Sequence, residues 1–224
     1  MTVEPSTSAT ADARDNPGRR RARKGQGELL REEILDAAEQ LLVEHGTKEA
    51  VTIRAVAEKV GVSAPSIYLH FSDKDELFYE TCRRVFEVLN LRMVRALADG
   101  AGTVTDRMIR AGRAYVQFGL DHPGQYVTLF GGSAQDAIPE DQIESDPGVH
   151  AFQLLVGLLE AGKDSGELRS DLDVASTAVA VWSAVHGTVN ILITKRGMES
   201  ALKIPPNDRV IDAMLDMVLQ GLRA

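Results

Sequence analysis

The sequence predicts an all-α protein, and three observations carry the prediction. Apolar residues recur at three- and four-residue spacings from Glu28 onward, strand-like alternation is absent, and capping residues and terminal glycines punctuate the pattern. The chain has 224 residues, 44% of them hydrophobic, enough to bury a substantial core. With no apolar run approaching 18 residues and no apolar N-terminal stretch, neither a membrane span nor a secretory signal is expected, which points to the cytoplasm. The single cysteine, Cys82, excludes an internal disulfide and a cysteine-based metal cluster and is expected to be a buried thiol.

Residues 1–26 are rich in Ala, Thr, Ser, Gly, Pro and Arg, hold almost nothing to bury, and are expected to form a disordered basic arm. The net charge of the chain is −8, yet Arg14 to Lys24 carries six basic residues against Asp15. A first helix follows, with Leu30, Ile34, Ala37, Ala38, Leu41 and Leu42 on its inner face and Gly46 ending it. Thr52 caps a short second helix that buries Ile53, Val56, Ala57 and Val60 and stops at Gly61. Ser63 caps a third. Pro65 falls in its first turn, where a missing N–H costs nothing. Ser72 is expected to cap the fourth, whose first turn holds Asp73, Asp75 and Glu76, suited to the positive end of the helix dipole. Further helices are predicted at about 104–120, 123–134, 148–162, 173–195 and 207–222, with Asp173 a cap.

Gly46 to Phe71 therefore reads as two short helices joined by the tight turn KVGVS, which is helix-turn-helix geometry. Val62, Ile67 and Phe71 fall where they anchor the second of these helices. Ala64, Pro65, Ser66, Tyr68, Leu69 and His70 are left facing outward, a mixture of small, aromatic and mildly polar groups better suited to a groove than to water.

Thr52-Ile53-Arg54, the turn segment VAEKVGVS and the downstream HFSDKDEL together resemble the DNA-binding domain of the TetR family of bacterial transcriptional regulators, over about Glu28 to Glu80. GELRSDLD and WSAVHG resemble elements of C-terminal domains of that family, including a subgroup marked by Trp, His and Gly in this order. The resemblance implies a three-helix helix-turn-helix domain at residues 27–75 and a larger helical ligand-binding and dimerisation domain at 76–224. It further implies a homodimeric repressor released from a double-stranded DNA operator by a small-molecule effector.

Carried onto matching positions, the resemblance makes Arg54 a base or phosphate contact, since a guanidinium can pair bidentately with guanine; the alternative is a surface arginine pairing with Glu58 four residues on. Ser63 and Ser66 become polar contacts, and Ala64 and Pro65 apolar surface for a thymine methyl. Ala64 departs from members that carry a long polar residue there. Tyr68, His70 and Lys74 match phosphate contacts, and Thr52 can add one. Arg19, Arg20, Arg21, Arg23 and Lys24 are placed along phosphates or in a narrow minor groove.

In the second domain, Val174 to Ile193 is apolar on nearly every side, as a helix covered by its own core and by a partner subunit would be. Val181, Val185, Val189, Val210, Met214, Met217 and Val218 are the expected dimer residues. Tyr115, Phe118, Tyr126, Phe130, Phe152, Trp182 and His186 are the candidates for a ligand pocket, and the N–H groups of Trp182 and His186 are expected to need a partner that a ligand could supply. Gly187 is expected to permit a close helix approach. No cofactor, metal site or catalytic group is expected: HExxH, P-loop, GxGxxG and GxSxG motifs are absent, and the five histidines are scattered. The competing expectations are a DNA-binding regulator without a small-molecule effector and an all-helical enzyme using His186.

Overall fold

The computed structural model describes residues 26–98, 100–130, 140–195, 201 and 203–224. The basic arm, with Arg19, Arg20, Arg21, Arg23 and Lys24, lies outside the described residues.

Helix α1 (Gln26–His45) buries Ile34, Leu35, Ala37, Ala38, Leu41 and Leu42. It stops at Gly46, which takes a φ of 70° that side chains resist. A 3-10 turn (Lys48–Ala50) leads to α2 (Ile53–Val60), where Thr52 Oγ1 accepts from the Ala55 N–H at 3.1 Å. Gly61, at a φ of 80°, closes it.

Helix α3 (Ala64–Ile67) begins after Ser63, but the Ser63 hydroxyl hydrogen-bonds Ser66 Oγ at 2.8 Å and does not cap the backbone. Helix α4 (Lys74–Leu97) also departs from expectation, because its cap is Asp73 and not Ser72. Asp73 Oδ1 accepts from the Glu76 N–H at 2.8 Å, while the Ser72 N–H donates to Glu76 Oε2 at 2.5 Å. The carboxylate reaches the N3 amide from the residue with extended geometry, which leaves Ser72 one position too early.

The remaining helices are α5 (Val104–Asp121), α6 (Pro123–Phe130), α7 (Pro147–Ser165), α8 (Val174–Thr194) and α9 (Asn207–Leu222). Positions 131–134, expected within α6, lie outside the described residues. Helix α1 packs on α2, α4 and α6; α4 packs on α5 and α7; α8 packs on α5, α7 and α9. One hydrophobic core runs through all of them. Ion pairs fasten α1 to α4, from Arg31 to Glu80 at 2.7 Å and from Arg84 to Glu32 at 3.1 Å and to Asp36.

The loop GELR ties the far end together. Glu167 accepts from the Val104 and Thr105 N–H groups at 2.9 and 3.1 Å, Leu168 bridges Arg223, and the Arg169 N–H donates to the Leu222 carbonyl. By length and composition α8 could cross a membrane, against the expectation of no such run; it packs on α5, α7 and α9, and 22% of its apolar window is buried.

Candidate functional site

Two sites share one scaffold. At the first, α2 braces α3 through their apolar sides, with Val56, Ala57, Ile67 and Phe71 buried. Opposite that seam, Tyr68 is 55% and Leu69 83% exposed, and Arg54 and Pro65 are exposed beside them. The side chains of Arg54, Tyr68, His70 and Lys74 make no hydrogen bond or ion pair among the described residues; the alternative pairing of Arg54 with Glu58 does not form. The other cations nearby are engaged, Lys59 with Glu44 at 2.8 Å and Lys48 with Asp75 at 3.1 Å. The uncommitted donors thus lie on and beside the face that the fold presents outward, an arrangement able to contact phosphates and base edges. Ser63 and Ser66 stand there too, bonded to each other, and Thr52 has its oxygen in the α2 cap.

The second site is a partly open cavity of about 450 Å³ between α4, α5, α6, α7, α8 and α9, within the roughly 300–1,000 Å³ of small-molecule sites. Its wall is overwhelmingly apolar. Of the seven residues expected there, Tyr115, Phe130, Phe152 and Trp182 line it; Phe118, Tyr126 and His186 do not. Phe118 instead packs against His122 and lies under the Arg92 guanidinium. Sequence reasoning missed the contribution of α4: Tyr79, Cys82, Arg83, Phe86, Leu89 and Met93 form one whole side. Their three- and four-residue spacing is the signal that could have found them. The polar members are few. Tyr79 donates to Asp146 Oδ2 at 3.3 Å, while Asp146 Oδ1 caps α7; Arg83 pairs with Glu87 at 2.7 Å and Glu80 at 3.3 Å. Burial, reinforced by the Asp146 carboxylate, pushes the Tyr79 phenol up to about 12.

Behind the wall runs a chain of polar groups. Trp182 Nε1 donates to the Tyr115 hydroxyl at 3.2 Å, Tyr126 Oη lies 3.2 Å from Tyr115 Oη and 2.6 Å from His186 Nδ1, and Asn190 Nδ2 lies 2.8 Å from His186 Nε2. The expectation that Trp182 and His186 await a ligand is therefore corrected: each finds its partner inside the protein. Burial holds the His186 pKa below its ordinary value and raises those of Tyr115 and Tyr126.

The expected dimer residues are also turned. Val181, Val185, Val189 and Met214 point into the core of their own subunit, and Val210 and Val218 are half-buried against it; only Met217, 65% exposed, faces out. The outward side of α8 carries Ala180, Ser183, Gly187, Ile191 and Thr194, and a Cβ on Gly187 would meet nothing within 4 Å in the subunit. No group of three or more potential metal ligands gathers among the described residues.

Two family models match in chain order, one described as bacterial regulatory proteins of the tetR family at residues 34–81 and one as the tetracyclin repressor-like C-terminal domain at 108–218. The chain is 27% identical over 146 residues to the HTH-type transcriptional repressor KstR2 of Rhodococcus jostii, covering 64% of this chain and 70% of the relative. It is 27% identical over 215 residues to the HTH-type transcriptional repressor BepR of Brucella suis, covering 91% and 97%. A solved protein of unknown function from Rhodococcus sp. RHA1 shares the fold, with a TM-score of 0.71 at 23% identity over 87% of this chain and 96% of that one.

Proposed function

The chain belongs to the TetR family and is a DNA-binding transcriptional regulator; on that premise we propose a homodimeric repressor that leaves its operator when a small molecule fills the cavity. The observation that carries this reading is the continuity of α4. Its first turns, at Leu77 and Phe78, belong to the core beneath the helix-turn-helix, and the turns that follow, from Tyr79 to Met93, form a wall of the cavity. A ligand that favours one setting of α4 thereby favours one spacing of the two DNA-reading helices in the dimer, and only such a differential affinity shifts the equilibrium.

Arg54 is assigned to base readout, with Ser63, Ala64, Pro65 and Ser66 beside it. Tyr68, His70, Lys74 and Thr52 are assigned to the phosphate backbone. The arm residues Arg19, Arg20, Arg21, Arg23 and Lys24 extend the contact. The division into an arm at 1–26, a DNA-binding domain at 27–75 and a ligand-binding domain at 76–224 follows these roles, with α4 spanning the second boundary. The small, unfilled outward side of α8 around Gly187, with Met217 on α9, is the surface assigned to a second copy. A cytoplasmic, non-enzymatic protein fits this role, and its named relatives are transcriptional regulators.

Fluorescence anisotropy on DNA flanking its own gene, against a scrambled duplex and across a salt series, tests the assignment. Selective binding with a steep salt slope is the expected result. Equal, weak binding to this duplex, to the scrambled one and to sequences selected from random DNA overturns it.

A further inference from the structure

Besides the Arg83 Nε–H, which is buried without a partner, the cavity wall holds a second donor left over among the described residues, and its identity follows from the direction of the hydrogen-bond chain behind it. Asn190 Nδ2 lies 3.3 Å from the His186 main-chain oxygen as well as 2.8 Å from His186 Nε2. An amide oxygen placed there would face a carbonyl oxygen, so the nitrogen occupies the position and Nε2 of the neutral ring accepts. The ring proton then sits on Nδ1 and is donated to Tyr126 Oη at 2.6 Å. Tyr126 in turn gives its proton to Tyr115 Oη at 3.2 Å, and Trp182 Nε1 gives a second to the same oxygen. Tyr115 is left with both lone pairs engaged and its own proton unassigned. The other group within reach, His186 Nδ1 at 3.5 Å, already carries a hydrogen.

Tyr115 is 6% exposed to solvent and is a member of the cavity wall, whereas Tyr126 and His186 are not. A buried donor without an acceptor is costly, and in an apolar cavity a ligand oxygen is the group that relieves it. The charges at the wall argue against an anion. Among the described residues Arg83 is the one cation of the wall; its Nε is buried without a partner, its terminal nitrogens are balanced by Glu80 and Glu87, which lie outside the lining, and the Asp146 carboxylate of the wall adds a further negative charge. The surfaces of Phe86, Phe130, Phe152 and Trp182 call for an apolar body.

We propose that the cavity takes a neutral, largely apolar molecule bearing a carbonyl oxygen, and that Tyr115 is the group that reads that oxygen. The proposal rests on the reading of the cavity as an effector site.

Trp182 is the sole tryptophan of the chain and lines the cavity, so its emission reports occupancy. The probes are 2-dodecanone, its isostere 2-methyl-1-dodecene, in which a methylene replaces the oxygen, and dodecanoate. In the full-length protein the ketone is expected to bind more tightly than dodecanoate. Its affinity relative to the alkene should fall about tenfold on Tyr115→Phe. A ratio unchanged by Tyr115→Phe removes Tyr115 as the reader while leaving the cavity an effector site, and tighter binding of dodecanoate overturns the neutral class. Because Tyr115→Phe strands two donors and can impair folding, the carbonyl stretch of 13C-labelled 2-dodecanone is also read on the unaltered protein. A shift to lower wavenumber than in an alkane solvent supports the proposal, and no shift overturns it. If none of the three probes perturbs Trp182 or the melting temperature, the effector-site reading falls together with the proposal.

Discussion

Gln125 Nε2 on α6 donates to Glu39 Oε1 on α1 across 3.2 Å, so the helix that contributes Phe130 to the cavity is seated directly on the helix that braces the DNA-reading pair. The seat is tight. A Cβ on neighbouring Gly124 would stand 3.1 Å from Val43 Cγ1 and 3.4 Å from the Val43 Cα, and backbone cannot rotate aside. Gly124→Val should therefore lift α6 from α1 and destabilise the fold by about 1–3 kcal/mol, as overpacking does. Thermal unfolding of the variant checks this; an unchanged midpoint would mean that the two helices are not in firm contact.

Arg54 and Lys74 should fail in different ways. Arg54→Ala is expected to weaken operator binding by about 1–3 kcal/mol while leaving scrambled DNA little affected, since a guanidinium that reads a base contributes to discrimination. Lys74→Ala should weaken both duplexes alike and reduce the salt slope by about one. Anisotropy titrations on the two duplexes at several salt concentrations separate these outcomes. Equal effects of Arg54→Ala on both duplexes would reassign that residue to the phosphate backbone.

The helix-turn-helix was the legible part of this chain because its signals are local. Thr52 and Gly61 bound α2 by chemistry that needs no distant partner, and both perform as the residue types predict. Where two adjacent residues can each cap, as Ser72 and Asp73 can, only the backbone geometry decides between them. The cavity was half legible. Tyr115, Phe130, Phe152 and Trp182 advertise themselves as large aromatics, but Tyr79, Cys82 and Arg83 sit in a helix whose start had been given to the DNA-binding domain. The orientation of α8 was not legible, because a helix apolar on nearly all sides does not say which side its own subunit covers. Val181, Val185 and Val189 turned out to meet α5, α7 and α9, and the row of small residues around Gly187 was the discriminating sign.

Cys82 should be inert despite lining a cavity. Burial pushes its thiol up to about 12, with Lys48 opposing that shift and Asp146 adding to it. At pH 8 the thiolate fraction is then on the order of one in ten thousand, and the thiolate is the reactive form. Labelling with a disulfide reagent at pH 8 is expected to be slow in the native protein and complete within minutes in denaturant. Rapid native labelling would show that the wall around Cys82 opens readily.

Glu167 makes the stability of the far end depend on acid in a determinable direction. Its carboxylate accepts from the free N–H groups of Val104 and Thr105 at the start of α5, and these bonds hold its pKa below the ordinary carboxylate value. A depressed folded-state pKa means that the folded protein binds the proton less readily than the unfolded chain. The stabilisation is thus fully present above the ordinary glutamate value near about 4.3 and disappears as the pH falls through the lower, folded value. Glu167→Gln removes the charge and keeps one acceptor. The variant should unfold at lower urea than the unaltered protein at pH 7, and the gap should narrow as the pH drops from about 5 toward 3. A gap independent of pH would mean that the loop acts through its shape and its bridge to Arg223, with the carboxylate charge making no contribution.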